Sequence, residues 1–251
     1  SPMGEIVVGV DGSDSSRQAL EWAAREAEVR GADLVIVKNW RDPMFGGPGF
    51  SAMYETDLIL SDAKAQLEAL ASDVHDAHPE VHVGSVLLDG SPAASLVKRG
   101  DVADLLVVGS RGNGGFLGLE LGSVSAKVAR RSVVPVVVVR GEHDRSAGSE
   151  VVVGVDGSSC SRQALRWAAD WARAHDKELV VLMAWNYLDP QGPDGPVPFD
   201  PEYDGERAAA VLDEIVADVL DGRPNPRIAT ETTCDLPARA VLQRAADACL
   251  V

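Results

Sequence analysis

Internal repetition constrains the fold of this chain more than any other feature. Glu5-Ile-Val-Val-Gly-Val-Asp-Gly-Ser13 recurs as Glu150-Val-Val-Val-Gly-Val-Asp-Gly-Ser158, and Arg17-Gln-Ala-Leu20 recurs as Arg162-Gln-Ala-Leu165. The same spacing carries Pro92-Ala93 onto Pro237-Ala238 and Arg99 onto Arg244. Two homologous domains follow, over residues 1–140 and 150–251, joined by the polar stretch Gly141 to Ser149. With 251 residues and 45% hydrophobic content, each copy can fill a core of its own.

Within the first copy, strands and helices alternate. Ile6 to Val10 is a continuous apolar run, the pattern of a strand buried on both faces of a parallel sheet. Leu20, Ala23, Ala24 and Ala27 then fall at helical spacing, with Ser13 and Ser16 as candidate caps and Gly31 as the stop. Leu34 to Val37 reads as a strand, followed by a Pro/Gly-rich loop to about Tyr54, a helix to about His75, and a strand over Val81 to Leu87. Ser91-Pro92 opens a short helix that Gly100 ends; Leu105 to Val108, Val124 to Arg131 and Val136 to Val139 complete the unit as strand, helix and strand. The expected fold is α/β, two tandem three-layer α/β/α domains with five-stranded, mainly parallel sheets. The second copy reaches Val251 inside the counterpart of its fourth strand. It therefore lacks the end of that strand, the following loop and the last strand. Such a domain would expose a sheet edge, which leads to the expectation that the natural chain is longer.

A formal net charge of -16 and a sequence pI near 4.6 disfavour nucleic acid and anionic membrane surfaces as partners. The longest apolar stretch, Val133 to Val139, is broken by Pro135 and is far shorter than the roughly 20 residues of a spanning helix. Nothing resembles a secretory signal, and Ser1-Pro2 ahead of Met3 reads as an appended dipeptide, so the expected location is cytoplasmic. Cys160, Cys234 and Cys249 have no metal-ligand spacing and are expected to be inert.

The chemistry-bearing segment follows the fourth strand: Val107-Val-Gly109-Ser-Arg-Gly112-Asn-Gly-Gly-Phe-Leu-Gly-Leu-Glu-Leu-Gly122-Ser123-Val-Ser125. A strand, a glycine-rich loop and a helix start form an anion site, since main-chain amides and the helix dipole point at a ligand that glycines allow to approach. Ser123 and Ser125 can add hydroxyls, and Arg111 can add positive charge. The segment has no G-x4-G-K-[ST], and a dinucleotide fingerprint begun at Gly112 would meet Leu117 where its third glycine belongs. Asp11 directly follows the first strand; if strands one and four are neighbours, Asp11 and the glycine loop face one crevice.

Gly109-x2-Gly112-x9-Gly122-Ser123, together with Val-Gly-Val-Asp-Gly-Ser, resembles the ATP-binding branch of the universal stress protein family, over residues 4 to 140 and again from 150 to 251. The resemblance implies a Rossmann-like fold of the adenine-nucleotide alpha-hydrolase type. It places Asp11 and the backbone of Val10 near adenine and ribose, and Asn39 at the adenine edge. Around the ribose and phosphates it places Gly109, Arg111, Gly112, Gly122, Ser123, Val124 and Ser125. ATP is the implied ligand, with Mg2+ as an optional companion. Lys38 stands where the family often has histidine, and Asn39 where it often has a small apolar residue. In the second copy Asp156 and Ala184 match the adenine end.

The functional expectation is a cytosolic ATP-binding regulator in the stress response. The rivals are a slow ATPase or nucleotidyl transferase and a dimerising scaffold that needs no nucleotide. Beyond Asp11 the inferred site offers no His or Glu placed as a general base. Val136 to Val139 is the expected outer strand, available for self-association or for pairing of the two domains with each other, and an unidentified protein is the expected downstream partner. His75, His78 and His82 beside Asp73 and Asp76 lack the facing spacing of a zinc site. Trp22 and Trp167 are read as packing residues. Trp40 and Trp185 begin long loops, Asp42 to Phe50 and Asp189 to Pro201, which are candidate lids or partner surfaces.

Overall fold

The structure, a computed structural model, describes residues 3–40, 52–111, 121–140, 148–185, 191–192, 195–196, 201–245 and 248–251. The chain divides into two units, Ser1–Glu142 and His143–Val251. In the first, β1 (Met3–Val10), β2 (Ala32–Trp40), β3 (Val83–Asp89), β4 (Leu105–Gly109) and β5 (Val136–Val139) form one parallel sheet in the order β3-β2-β1-β4-β5. The apolar run of β1 is central to it: Ile6, Val7 and Val8 are fully buried, as a strand covered on both faces requires.

Strand alternation sorts the core into two layers. Val7, Val35, Val37, Leu106 and Val108 meet Ala93 and Leu96 of α3 (Pro92–Gly100) and Val128 of α4 (Ser123–Arg131). Ile6, Val8, Leu34, Ile36, Leu105 and Val107 occupy the alternate, opposite positions; α1 (Asp14–Arg30) packs on β1, β2 and β4, and α2 (Ala52–Ala77) packs on β2 and β3. The α1 stripe of Leu20, Ala23, Ala24 and Ala27 is buried. Ser13 caps that helix by accepting from the Ser16 amide at 3.2 Å, and Gly31 closes it in the left-handed conformation with φ 58°.

The second unit repeats the first part of this plan. It comprises β6 (Glu150–Gly154), α5 (Ser159–Ala174), β7 (Glu178–Trp185), the short antiparallel pair β8 (Gln191–Gly192) and β9 (Gly195–Pro196), α6 (Pro201–Leu220), β10 (Ile228–Cys234) and α7 (Pro237–Arg244). Its described parallel sheet has the order β10-β7-β6. Leu250 bridges to Val151 as Leu105 pairs with Ile6, and the Cys249 amide donates to the Glu150 carbonyl at 3.0 Å as that of Asp104 donates to Glu5 at 2.9 Å. Arg99 grips Glu5 through two bonds of 2.6 and 2.7 Å; Arg244 grips Glu150 at 2.7 Å and adds Glu231 at 3.0 Å.

Several local expectations shift. Asn39 lies inside β2, because the ladder to β3 continues through Asn39↔Leu88 and Trp40↔Asp89 and holds polar residues in strand geometry. Strand β3 starts at Val83, since Val81 is spent in a turn in which its amide donates to the His78 carbonyl at 3.0 Å. Helix α2 runs from Ala52 to Ala77, beyond both expected ends. Ser91 occupies the N-cap position of α3 but makes no side-chain capping bond, so Pro92 and the helical geometry carry that start. Every strand pairing in the five-stranded sheet is parallel.

At Gly109 a Cβ would lie 2.7 Å from the backbone carbonyl of Ser15, which cannot swing aside as a side chain can. Gly109→Ala is therefore expected to destabilise the N-terminal unit by about 1–3 kcal/mol, read as a lower urea midpoint. Gly84→Ala, whose Cβ would meet nothing closer than 3.8 Å, is expected to stay within about 0.5 kcal/mol of the parent. Equal midpoints for the two variants would contradict this close approach.

Candidate nucleotide site

Strands β1 and β4 are direct neighbours, yet the chain leaves them toward opposite edges of the sheet, to β2 and to β5. That reversal opens a crevice beyond their carboxyl ends. Three segments border it: residues 11–16 after β1, Ser110 and Arg111 after β4, and the first turn of α4. By strand alternation Asn39 continues the series Val35, Val37 and stands on the α3/α4 side of the sheet, while Asp11 is the first residue beyond β1.

The β1–α1 connection is built from hydroxyls. Asp11 Oδ1 accepts from the Ser13 amide at 3.0 Å and from Ser13 Oγ at 2.6 Å, while the Asp11 amide donates to Ser16 Oγ at 3.3 Å. Ser13 Oγ also lies 3.3 Å from the Arg111 carbonyl, and the Arg111 amide donates to Ser15 Oγ at 3.3 Å. Ser15 and Ser110 bring their hydroxyls to 3.4 Å. The loops after β1 and β4 thus touch.

Several groups at the head of α4 are already committed. The Gly122 amide donates to the Ser110 carbonyl at 2.7 Å, and buried Ser125 donates its hydroxyl to the carbonyls of Ser110 and Gly122, at 3.1 and 3.0 Å. A Cβ at Gly122 would sit 3.3 Å from that Ser110 carbonyl and 3.4 Å from Arg111 Cα. Glycine therefore lets α4 begin directly against the end of β4. Gly122 is also the N-cap and provides no capping side chain. The amides of Ser123, Val124 and Ser125 consequently have no acceptor in their own helix, the condition under which a helix start takes an anion. Ser123 is exposed, and so is Arg111, whose guanidinium makes no ion pair among the described residues.

At the other end of the crevice, Asn39 Nδ2 is buried without a hydrogen-bond partner among the described residues. Leaving such a donor unpaired costs roughly 1–3 kcal/mol, which an acceptor atom on a ligand would offset. Lys38, one position earlier, is turned to α2 and donates to Gln66 Oε1 at 2.5 Å. Val10 is buried and borders the site through its backbone. The structure thus gathers Val10, Asp11, Asn39, Gly109, Arg111, Gly122, Ser123, Val124 and Ser125 at the carboxyl ends of the central strands. Gly112 lies outside the described residues, as do Asp42 to Phe50 and, apart from β8, β9 and Pro201, Asp189 to Pro201. Sequence reasoning passed over Ser15 and Ser110, and took Ser13 only as a cap. The serine-rich run after β1 was the available signal.

His78 faces Glu28, Nδ1 to Oε2, at 2.9 Å, and among the described residues no group of three His, Cys, Asp or Glu is arranged to hold a metal. Burial pushes the Cys249 thiol up, and its Sγ contacts the Glu150 carbonyl at 3.0 Å. No helix among the described residues is long and apolar enough to cross a membrane. A hollow of about 340 Å³ lined by Lys64, Leu67, Glu68, Ser85, Val86 and Leu87 lies between α2 and the edge strand β3, away from the crevice.

Fold and site together define a doubly wound α/β protein with a glycine-rich β4–α4 connection at its switch point. The model of the universal stress protein family matches residues 3–140 and again 149–249, and the chain belongs to that family as a tandem member. A universal stress protein of Mycobacterium tuberculosis strain H37Rv is 32% identical over 263 residues, covering 98% of this chain and 84% of the relative. A solved universal stress protein from Archaeoglobus fulgidus has a TM-score of 0.71 at 19% identity, covering 97% of this chain and 81% of that one. Another, solved in complex with cAMP, is 33% identical and covers 56% of this chain and 98% of that chain, with a TM-score of 0.41.

Asp156, the counterpart of Asp11, keeps the same turn, its Oδ1 accepting from the Ser158 amide at 2.9 Å. Bonds from Ser158, side chain first and then backbone, and from Ser161 hold its carboxyl down at about 2, against an ordinary 3.8. The folded value is the lower one. Its contribution to stability is therefore complete above pH 3.8 and is lost as the pH falls through about 2. An NMR titration of the Asp156 carboxyl carbon is expected to centre near 2 and to move up toward 3.8 in Ser158→Ala; an unmoved midpoint would show that this hydroxyl does not hold the carboxylate.

Proposed function

We propose that the N-terminal unit binds ATP, with Mg2+ as an optional companion, and that the protein acts in the cytoplasm as a nucleotide-dependent regulator in the stress response. The observation that carries this reading is the uncapped start of α4. Three amides without helical acceptors, at a glycine N-cap beside exposed Arg111, offer neutral donors and one local cation to a polyphosphate. Asp11 suits a sugar hydroxyl, and the unpaired Asn39 amide suits a ring nitrogen or carbonyl acceptor. Both stand at the carboxyl ends of neighbouring strands, so one extended ligand would be read along its length. Strand β5 ends the sheet, and its outer edge is the proposed surface for self-association or for a protein partner.

Gly122→Val would press on the Ser110 carbonyl as well as on a ligand, so a cleaner variant is needed. Ser123 is the first helical residue, where proline is tolerated, and Gly122 already has the φ of -67° and ψ of 158° that a residue before proline adopts. Ser123→Pro thus deletes one amide donor with the helix kept, and Ser123→Ala deletes only the hydroxyl. By calorimetry, ATP is expected to bind the parent protein, and Ser123→Pro is expected to weaken it roughly 10- to 100-fold relative to Ser123→Ala. Equal affinities would remove the α4 amides from the site. Turnover of ATP in the same samples separates binding from hydrolysis.

A further inference from the structure

We infer that Ser13 and Ser15 form a clamp on the Arg111 peptide that couples the sugar end of the crevice to its phosphate end. This deepens the nucleotide reading and rests on it. The two hydroxyls address the two main-chain polar groups of one residue: Ser15 Oγ accepts from the Arg111 amide at 3.3 Å, and Ser13 Oγ lies 3.3 Å from the Arg111 carbonyl, which it engages when its proton turns there. Arg111 follows Ser110, whose carbonyl receives the Gly122 amide and the Ser125 hydroxyl, so the clamp holds the residue beside the start of α4.

Ser13 has a single proton and two acceptors within reach, Asp11 Oδ1 at 2.6 Å and the Arg111 carbonyl at 3.3 Å. The shorter contact takes the proton in this state. A ligand hydroxyl donating to Asp11 supplies that carboxylate with another proton donor and releases Ser13 to turn toward Arg111. Contact at the sugar end then tightens the hold on Arg111 at the phosphate end.

The second unit separates this role from mere helix capping. Asp156, Ser158 and Ser161 reproduce the turn and the cap, with the Ser158 amide on Asp156 at 2.9 Å and the Ser161 amide on Ser158 Oγ at 3.2 Å. The residue matching Ser15 is Cys160, which is exposed. The turn and the cap therefore form without a hydroxyl at that position. Ser15 is a positioning residue, and its hydroxyl is spent on Arg111 and Ser110 rather than on starting α1.

The test uses the full chain. Ser15→Ala is expected to bind ATP about tenfold more weakly, to bind adenosine within about twofold of the parent, and to keep its thermal midpoint. Ser15→Thr, which keeps the hydroxyl, is expected to restore ATP affinity, and Ser15→Cys is not. Independently of any nucleotide, the Arg111 amide is expected to exchange its hydrogen faster in Ser15→Ala than in the parent. Unchanged exchange together with unchanged ATP affinity overturns the clamp, and equal losses for ATP and adenosine overturn the coupling. A parent protein that binds no ATP overturns the nucleotide reading and the coupling with it, while Arg111 exchange still decides whether the clamp exists.

Discussion

The pairing of β1 with β4 decides where chemistry can occur in the N-terminal unit. Ile6 to Gly9 run in register beside Leu105 to Val108, yet the connections after the two strands depart to opposite sides. A crevice at their carboxyl ends is the geometric result. Gly109 makes it usable, because the absence of a Cβ lets the Ser15 backbone come against the end of β4. Among the described residues, the contacts from Ser13 to Arg111 and from Ser15 to Ser110 form where that approach brings the two loops together.

The repeat acts as an internal control on which interactions belong to the architecture. Both units keep the arginine that reaches back to the opening glutamate of the first strand, Arg99 to Glu5 and Arg244 to Glu150. Both keep the Asp-x-Ser turn that starts the first helix. The second unit goes further at the arginine, where Glu231 joins as a second acid and Glu150 is held below the usual carboxylate range mainly by its bond to Arg244. Beside the crevice, Ser15 of the first unit is matched by Cys160 and Asn39 by Ala184.

Much of the fold was legible because its signals are local. Continuous apolar runs marked the buried strands, and Leu20, Ala23, Ala24 and Ala27 marked the α1 face. The end of β2 was not legible, since Lys38, Asn39 and Trp40 are polar or bulky and their strand geometry comes from the ladder to β3, a partner almost 50 residues away. At the site, residue types announced the chemistry: Asp11 after a strand, glycines before a helix. What they could not announce is which donors are already spent. The Gly122 amide and the Ser125 hydroxyl both go to the Ser110 carbonyl, and the roles of Ser13 and Ser15 lie in contacts 98 and 96 positions along the chain.

The charge balance explains why the proposed site is built from amides. A chain with net charge -16 repels a polyphosphate at long range, so attraction must come from groups that act only at contact. Main-chain N–H groups at a helix start meet that requirement. They are neutral, fixed in direction by the helix, and fully effective at hydrogen-bond distance. Arg111 adds the local positive charge, and its amide is held by Ser15. Under the proposed reading, discrimination then rests on fit rather than on net charge. An anion that cannot span from the α4 amides to Asp11 and Asn39 meets the repulsive field with only part of the compensating contacts.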